Sequence, residues 1–223
     1  MQVPWWGVEI VLPCALLVSA VWLTFFDVLK GQPVSDDLLG IIAYDGKMQK
    51  PLEWGNLFKW FRWQVGKAPN PNKALGQPPH VQSSVYHHRL NLWIACCVAV
   101  AAYAFLARLL PTQTAFLATL LFLVHPLGVQ TIGWISGVGY TLSLFWTLLG
   151  LNLLWLMRDW GWMHGTMFVP ALAIYALFHF LAMQAQFSAT GVSLVLLLLG
   201  QWPFAIVAGL ISGYGLITVF REA

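Results

Sequence analysis

VYHHRLNLWIACCVAVAAYAFLARLLP, residues 85–111, carries no charge between Arg89 and Arg108 and closes on Pro111. A helix needs about 20 mostly apolar residues to cross a bilayer, so the stretch predicts a membrane span over about 90–110. The rest of the chain agrees. Of its 223 residues 59% are hydrophobic and 9% charged, and the mean hydropathy is +0.72. A soluble domain carries about 25% charged residues, so the sequence specifies an integral membrane protein.

Working outward, full-length apolar runs occupy about 5–26, 138–157, 166–184 and 202–220. Two shorter runs, 113–124 and 188–199, would reach only about 18 Å as helices against a hydrocarbon core of about 30 Å. Each is expected to be shielded by protein, to thin the membrane locally, or to belong to a broken helix. The expected fold is all-α: a polytopic membrane helical bundle of about five full spans plus two short or broken helices. It is read as one membrane domain over 1–223, with span 1 at 5–26, an extramembrane loop at 27–89 and the bundle at 90–220. No Lys or Arg precedes the first run and no small-residue cleavage site follows it, so it reads as a retained span rather than a signal peptide. Trp5, Trp6, Trp93, Trp155, Trp160, Trp162 and Trp202 stand near expected span ends, where tryptophan anchors a helix at the interface.

The 27–89 segment holds eight of the eleven Lys/Arg and five of the eight Asp/Glu. Within it, LEWGNLFKWFRWQ places Trp54, Leu57, Phe58, Phe61 and Trp63 within a few helical turns, with Trp60 between Lys59 and Phe61. That pattern predicts an amphipathic helix lying in the interface, with Trp54, Phe58, Trp60, Phe61 and Trp63 as a docking surface for a partner or for lipid. GKAPNPNKALGQPPH, residues 66–80, has too many Pro, Asn and Gly for an element interior and reads as a loop. Orientation is open on charge alone. Arg108 and Arg158 favour placing their side in the cytoplasm, whereas the eight cations of the long loop favour the opposite, and a loop of about 60 residues is where the rule loses force.

Few residues invite chemistry. Cys14, Cys96 and Cys97 lie inside apolar runs and read as packing groups, not as a disulfide framework or a metal site. His87 and His88 are adjacent, so a helix points them to different faces, and no Cys, Asp or Glu stands at i+3 or i+4; no metal site is expected. His179 is a polar group inside a span and needs a partner, most simply on a neighbouring helix. GLISGYG and GWISGVG carry small residues at spacings that let helices approach closely. The net charge of +3 gives no ground for nucleic-acid binding.

In LFLVHPLGVQTIGWISG, residues 121–137, an apolar run stops at His125-Pro126. Proline disfavours a helical residue before it and donates no backbone bond. His125 and Pro126 are therefore assigned a shape-keeping role, with the stretch after them at a membrane surface or packed inside the bundle.

The order of these features resembles the N-terminal membrane region of GT-C-fold, polyprenyl-phosphate-dependent glycosyltransferases. The likeness is nearest to O-mannosyltransferase-like proteins that carry tetratricopeptide repeats. The motifs behind it are one span, a large loop opening with Asp36-Asp37, then residues 85–111, FLVHP and WISG. The resemblance implies an extracytoplasmic 27–89 loop in a bacterial inner membrane, a polyprenyl-phosphate sugar donor, and Asp36 or Asp37 as the base that takes the acceptor hydroxyl's proton. The competing reading of Asp36-Asp37 is a helix cap. Where the family has His, Glu, Arg and an acidic residue, this sequence has Gly128, Gln130, Val138 and Tyr140, and a later Lys-Glu pair is replaced by Gln186-Phe187. A leaving phosphate needs cationic stabilisation, and after Arg108 only Arg158 and Arg221 are permanent cations. The chain therefore resembles a truncated, degenerate member. The expectation is a non-catalytic accessory subunit of a larger membrane complex, with other integral membrane proteins and lipids as partners and no cofactor beyond a bound lipid. The alternatives are an active transferase using Asp36 or Asp37 with a polyprenyl-phosphate sugar, and a lipid- or quinone-binding scaffold.

Overall fold

The computed structural model describes residues 8–30, 79–125, 127–134, 137–162, 165–185, 196 and 198–222. Among them every regular element is a helix: α1 (Val8–Phe25), α2 (Pro79–Leu106), α3 (Thr112–Leu123), α4 (Leu127–Gly133), α5 (Val138–Asp159), α6 (Phe168–Ala185) and α7 (Trp202–Glu222). Short 3-10 turns cover Phe26–Lys30 and Gly165–Met167. Four helical stretches are long and apolar enough to cross a membrane: Ile10–Leu29, His88–Leu106, Val138–Asp159 and Gly165–Ala182. Thr112–Leu123 and Trp202–Tyr214 are shorter apolar helices.

Helix ends follow local chemistry. Pro79 opens α2 and Pro203 sits in the first turn of α7, where a missing N–H costs nothing. The helix that carries the second span thus begins about ten residues before the apolar run, taking the end of the 27–89 segment into a helix, while the stretch apolar enough to cross remains His88–Leu106. α5 stops because Gly161 adopts φ 75°. Its N–H reaches the Arg158 carbonyl and the Trp162 N–H reaches back to Met157 at 2.9 Å, a Schellman closure that a residue with a Cβ fits poorly.

α2 is the central helix. Half of His88–Leu106 is buried, against 17% of Ile10–Leu29. One face, with Leu92, Ala95, Cys96, Ala99 and Tyr103, packs on Leu17, Val21 and Phe25 of α1, Ala115 and Leu123 of α3, and Ile132 of α4. The other, with Ile94, Val98, Ala102 and Phe105, packs on Leu148, Leu151 and Leu154 of α5 in a core that also holds Tyr175 of α6 and Phe204 of α7. Because its apolar residues are not confined to one stripe, α2 can bury two faces at once.

Specific contacts set the register. Asn152 donates to the Ala101 carbonyl at 2.9 Å, and Arg108 meets Asp159 at 3.1 Å. Ala101 and Arg108, just past the end of α2, are seven residues apart, as are Asn152 and Asp159, so α2 and α5 run parallel. The ion pair is partly exposed and contributes about 0.2–1 kcal/mol. α6 packs back along α5, with Trp146 and Phe178 rings at 5.8 Å. α7 runs parallel to α6: Phe168 and Tyr175 both meet Phe204, at 6.0 and 5.5 Å, and His179 meets Ser212 further along. Cys14, Cys96 and Cys97 are free thiols within α1 and α2.

The stretch after His125 contains the short helix α4, packed against α1, α2 and α5, and Pro126 stands just before it in sequence, where proline is tolerated as readily as it is disfavoured inside α3. Most of the 188–199 run, Pro126, and the whole of 31–78 lie outside the described residues.

Candidate functional site: buried polar contacts between the helices

Inside a bilayer a polar side chain finds a protein partner or stands at high cost, so the polar groups buried among the helices are where function would be built. Two groups of them emerge.

The first holds α4. Asn91, on α2, is fully buried. Its Nδ2 donates to the Trp134 carbonyl at 2.8 Å and to the Ile132 carbonyl at 3.3 Å. These are carbonyls at the end of a seven-residue helix, which have no intrahelical partner. Thr141 of α5 donates to the Thr131 carbonyl at 3.3 Å. Gly128 lies against Phe25, whose ring would stand 3.5 Å from a Cβ there. Asn91 Oδ1 accepts nothing from the described residues. His88, 2% exposed, lies one turn earlier on α2.

The second joins α6 and α7. His179 Nε2 lies 3.1 Å from Ser212 Oγ, and the imidazole also hydrogen-bonds the Ala208 backbone. Tyr175 stacks on the His179 ring at 6.0 Å. Interhelical bonds of this kind average about 0.6 kcal/mol in membranes. The partner expected for His179 is therefore a hydroxyl on the next helix.

The sequence-predicted site residues fare unevenly. Asp36, Asp37, Trp54, Phe58, Trp60, Phe61, Trp63, Gln186 and Phe187 lie outside the described residues, as does Pro126. His125 is exposed at the end of α3, and the Gly128 N–H bonds its carbonyl at 2.8 Å. Val138 is 1% exposed inside the apolar core, and Tyr140 is exposed. Sequence reading missed Asn91 and Asn152. Their signal was present: each is a lone amide inside a span, the feature that singled out His179. Among the described residues no three or more His, Cys, Asp or Glu converge where a metal could sit.

No family model, curated protein or solved structure matches the chain. Its chemistry must be read from these contacts alone. Amides, a hydroxyl and an imidazole tie helix to helix, and carbonyls accept from them. The arrangement holds a bundle in register, and its hydroxyl–imidazole pair, Ser212 beside His179, is buried between α6 and α7.

Proposed function

We propose that the chain is a non-catalytic accessory subunit of a larger membrane complex, built on a degenerate GT-C-like bundle in which α7 makes a fifth crossing. One observation supports the reading: the outward face of α7 combines exposed apolar side chains with two glycines that have open space beside them. Phe204, Ala205, Ala208 and Ser212 are buried on its inner side, whereas Ile206, Leu210 and Tyr214 are exposed. Gly209 and Gly213 would each place a Cβ with nothing within 4 Å. Two glycines four residues apart on a membrane helix let a second backbone approach closely, which is how helices associate where lipid removes the hydrophobic drive. The burial of Val138, where a donor-binding arginine would stand in the resembling family, supports loss of the transferase site.

The experiment is gentle purification of the protein from its own membrane, with identification of whatever integral membrane protein accompanies it. Gly209→Ile together with Gly213→Ile is expected to leave the chain folded and to remove most of that partner. Retention of the partner by the double variant would refute docking through α7. Sugar transfer from a polyprenyl-phosphate donor, abolished by Asp36→Asn or Asp37→Asn, would replace the reading with that of an active transferase.

The same reading places the protein in a bacterial inner membrane with 27–89 outside the cytoplasm and the Arg108–Asp159 pair on the cytoplasmic side. With the native cysteines replaced, Ser83→Cys is expected to react with a membrane-impermeant thiol reagent in intact cells. Reaction only after permeabilisation would invert the topology.

A further inference from the structure

α2 and α5 finish at the Arg108 end of the bundle, and α6 and α7 start there, with Phe168 against Phe204. The finish of α5 is a closed turn. The Gly161 N–H bonds the Arg158 carbonyl and the Trp162 N–H bonds the Met157 carbonyl, both at 2.9 Å. A φ of 75° at Gly161 makes that closure. It holds Trp160 and Trp162, whose rings stand 5.8 Å apart, within one turn of Arg158. Trp160 is 60% exposed, and Arg158 is exposed too. Arg158 is the last residue but one of a 22-residue span. That length rises about 33 Å and brings the guanidinium to headgroup depth.

Charge is unbalanced at this turn. Asp159 is engaged by Arg108 at 3.1 Å, and among the described residues no acid pairs with Arg158. Glu9 belongs to α1, and α1 and α5 pack on opposite faces of α2. Lys30 and Pro79, where residues 31–78 join the bundle, lie toward the opposite end. We propose that Arg158 and the turn after it hold the phosphate of one anionic phospholipid headgroup, with the Trp160 and Trp162 indoles beside it at the interface. A guanidinium offers phosphate oxygens a planar fork of donors, and indoles settle at headgroup level. A zwitterionic lipid carries its own ammonium beside the phosphate, so an uncompensated cation selects a headgroup of net negative charge. The site uses no residue of the α7 docking face, so either can fail alone, and it acts in whichever leaflet this end occupies.

The purified full chain is tested in vesicles of phosphatidylcholine and phosphatidylglycerol in equal amounts. One lipid or the other carries a photoreactive group near its headgroup, and crosslinks to residues 155–162 are quantified by mass spectrometry. One arginine near a charged surface corresponds to about a fivefold preference, so phosphatidylglycerol is expected to crosslink there about fivefold more than phosphatidylcholine. Arg158→Gln should bring the two yields together, and Arg158→Lys should keep most of the difference. Gly161→Val retains the cation but strains the turn, and should lose most of it. Without any substitution, salt at about 1 M, where the Debye length is about 3 Å, should abolish the preference. Equal yields in the unmodified protein, or a preference that survives Arg158→Gln or high salt, overturn the proposal. A preference lost in Arg158→Gln but untouched in Gly161→Val overturns the role of the turn.

Discussion

Gly150→Leu is expected to destabilise the bundle by about 3 kcal/mol. α5 and α6 approach closely here: a Cβ on residue 150 would lie 3.1 Å from the Phe178 Cβ. That neighbour is fixed to the backbone and cannot rotate away. Leucine adds three further carbons toward Phe178 and the Tyr175 ring, both within 4 Å of that position, and the helices must separate. Separation would also disturb Tyr175 and Leu151, which share one core. Gly150→Ala is expected to lose much less, because alanine's preference for helix over glycine, about 1 kcal/mol, offsets part of the crowding. Thermal unfolding in detergent should rank wild type, then alanine, then leucine. A leucine variant as stable as wild type would mean that α6 slides freely on α5.

Asn91→Leu is expected to destabilise the protein by about 1–2 kcal/mol, and Asn91→Asp by more. Leucine removes both donations, from the Ile132 carbonyl and from the Trp134 carbonyl, the latter keeping only the Gly137 N–H at 3.1 Å. Part of that loss is recovered, because Asn91 Oδ1 is itself buried without a donor among the described residues and leucine abolishes that penalty. An ionised aspartate does the opposite: it only accepts and would face two carbonyl oxygens in a buried position. Hydrogen exchange over residues 127–134 should rise in both variants while that of α6 stays unchanged. Aspartate less damaging than leucine would show that donation from residue 91 does not hold α4.

These two positions also mark how far the sequence could be read. The four spans were legible because a run without charge, such as 90–107, has only one stable place in a membrane. Which helix stood at the centre was not, since α2, α6 and α1 are all apolar on every side. Position came from pairings such as Asn152 with Ala101, where one partner is a backbone carbonyl that every residue possesses. His179 announced its need for a partner, but Ser212 is a common residue and nothing local marks it as that partner. The Pro126 signal was read correctly as the end of α3 and incompletely beyond it, because proline terminates the helix before it and initiates the one after. Gly150 was invisible as a contact point for a related reason: close approach of helices is a property of two faces, and a sequence presents one residue at a time.

The bond between His179 and Ser212 also imposes a schedule on synthesis. The two residues are 33 apart in the chain, and because α6 and α7 run parallel, the intervening chain must return to the opposite end of the bundle before α7 can begin. At about 5–20 residues per second, an imidazole emerging from the ribosome waits on the order of two to seven seconds for its hydroxyl. Asn91 waits longer for the carbonyls of Ile132 and Trp134, 41 and 43 residues downstream. During those seconds each half-finished bundle presents a polar group to lipid or to the insertion machinery. Release of the early helices into the membrane is thereby coupled to arrival of the later ones, and a chain stalled between Ala185 and Trp202 would be held as an unfinished client with His179 exposed.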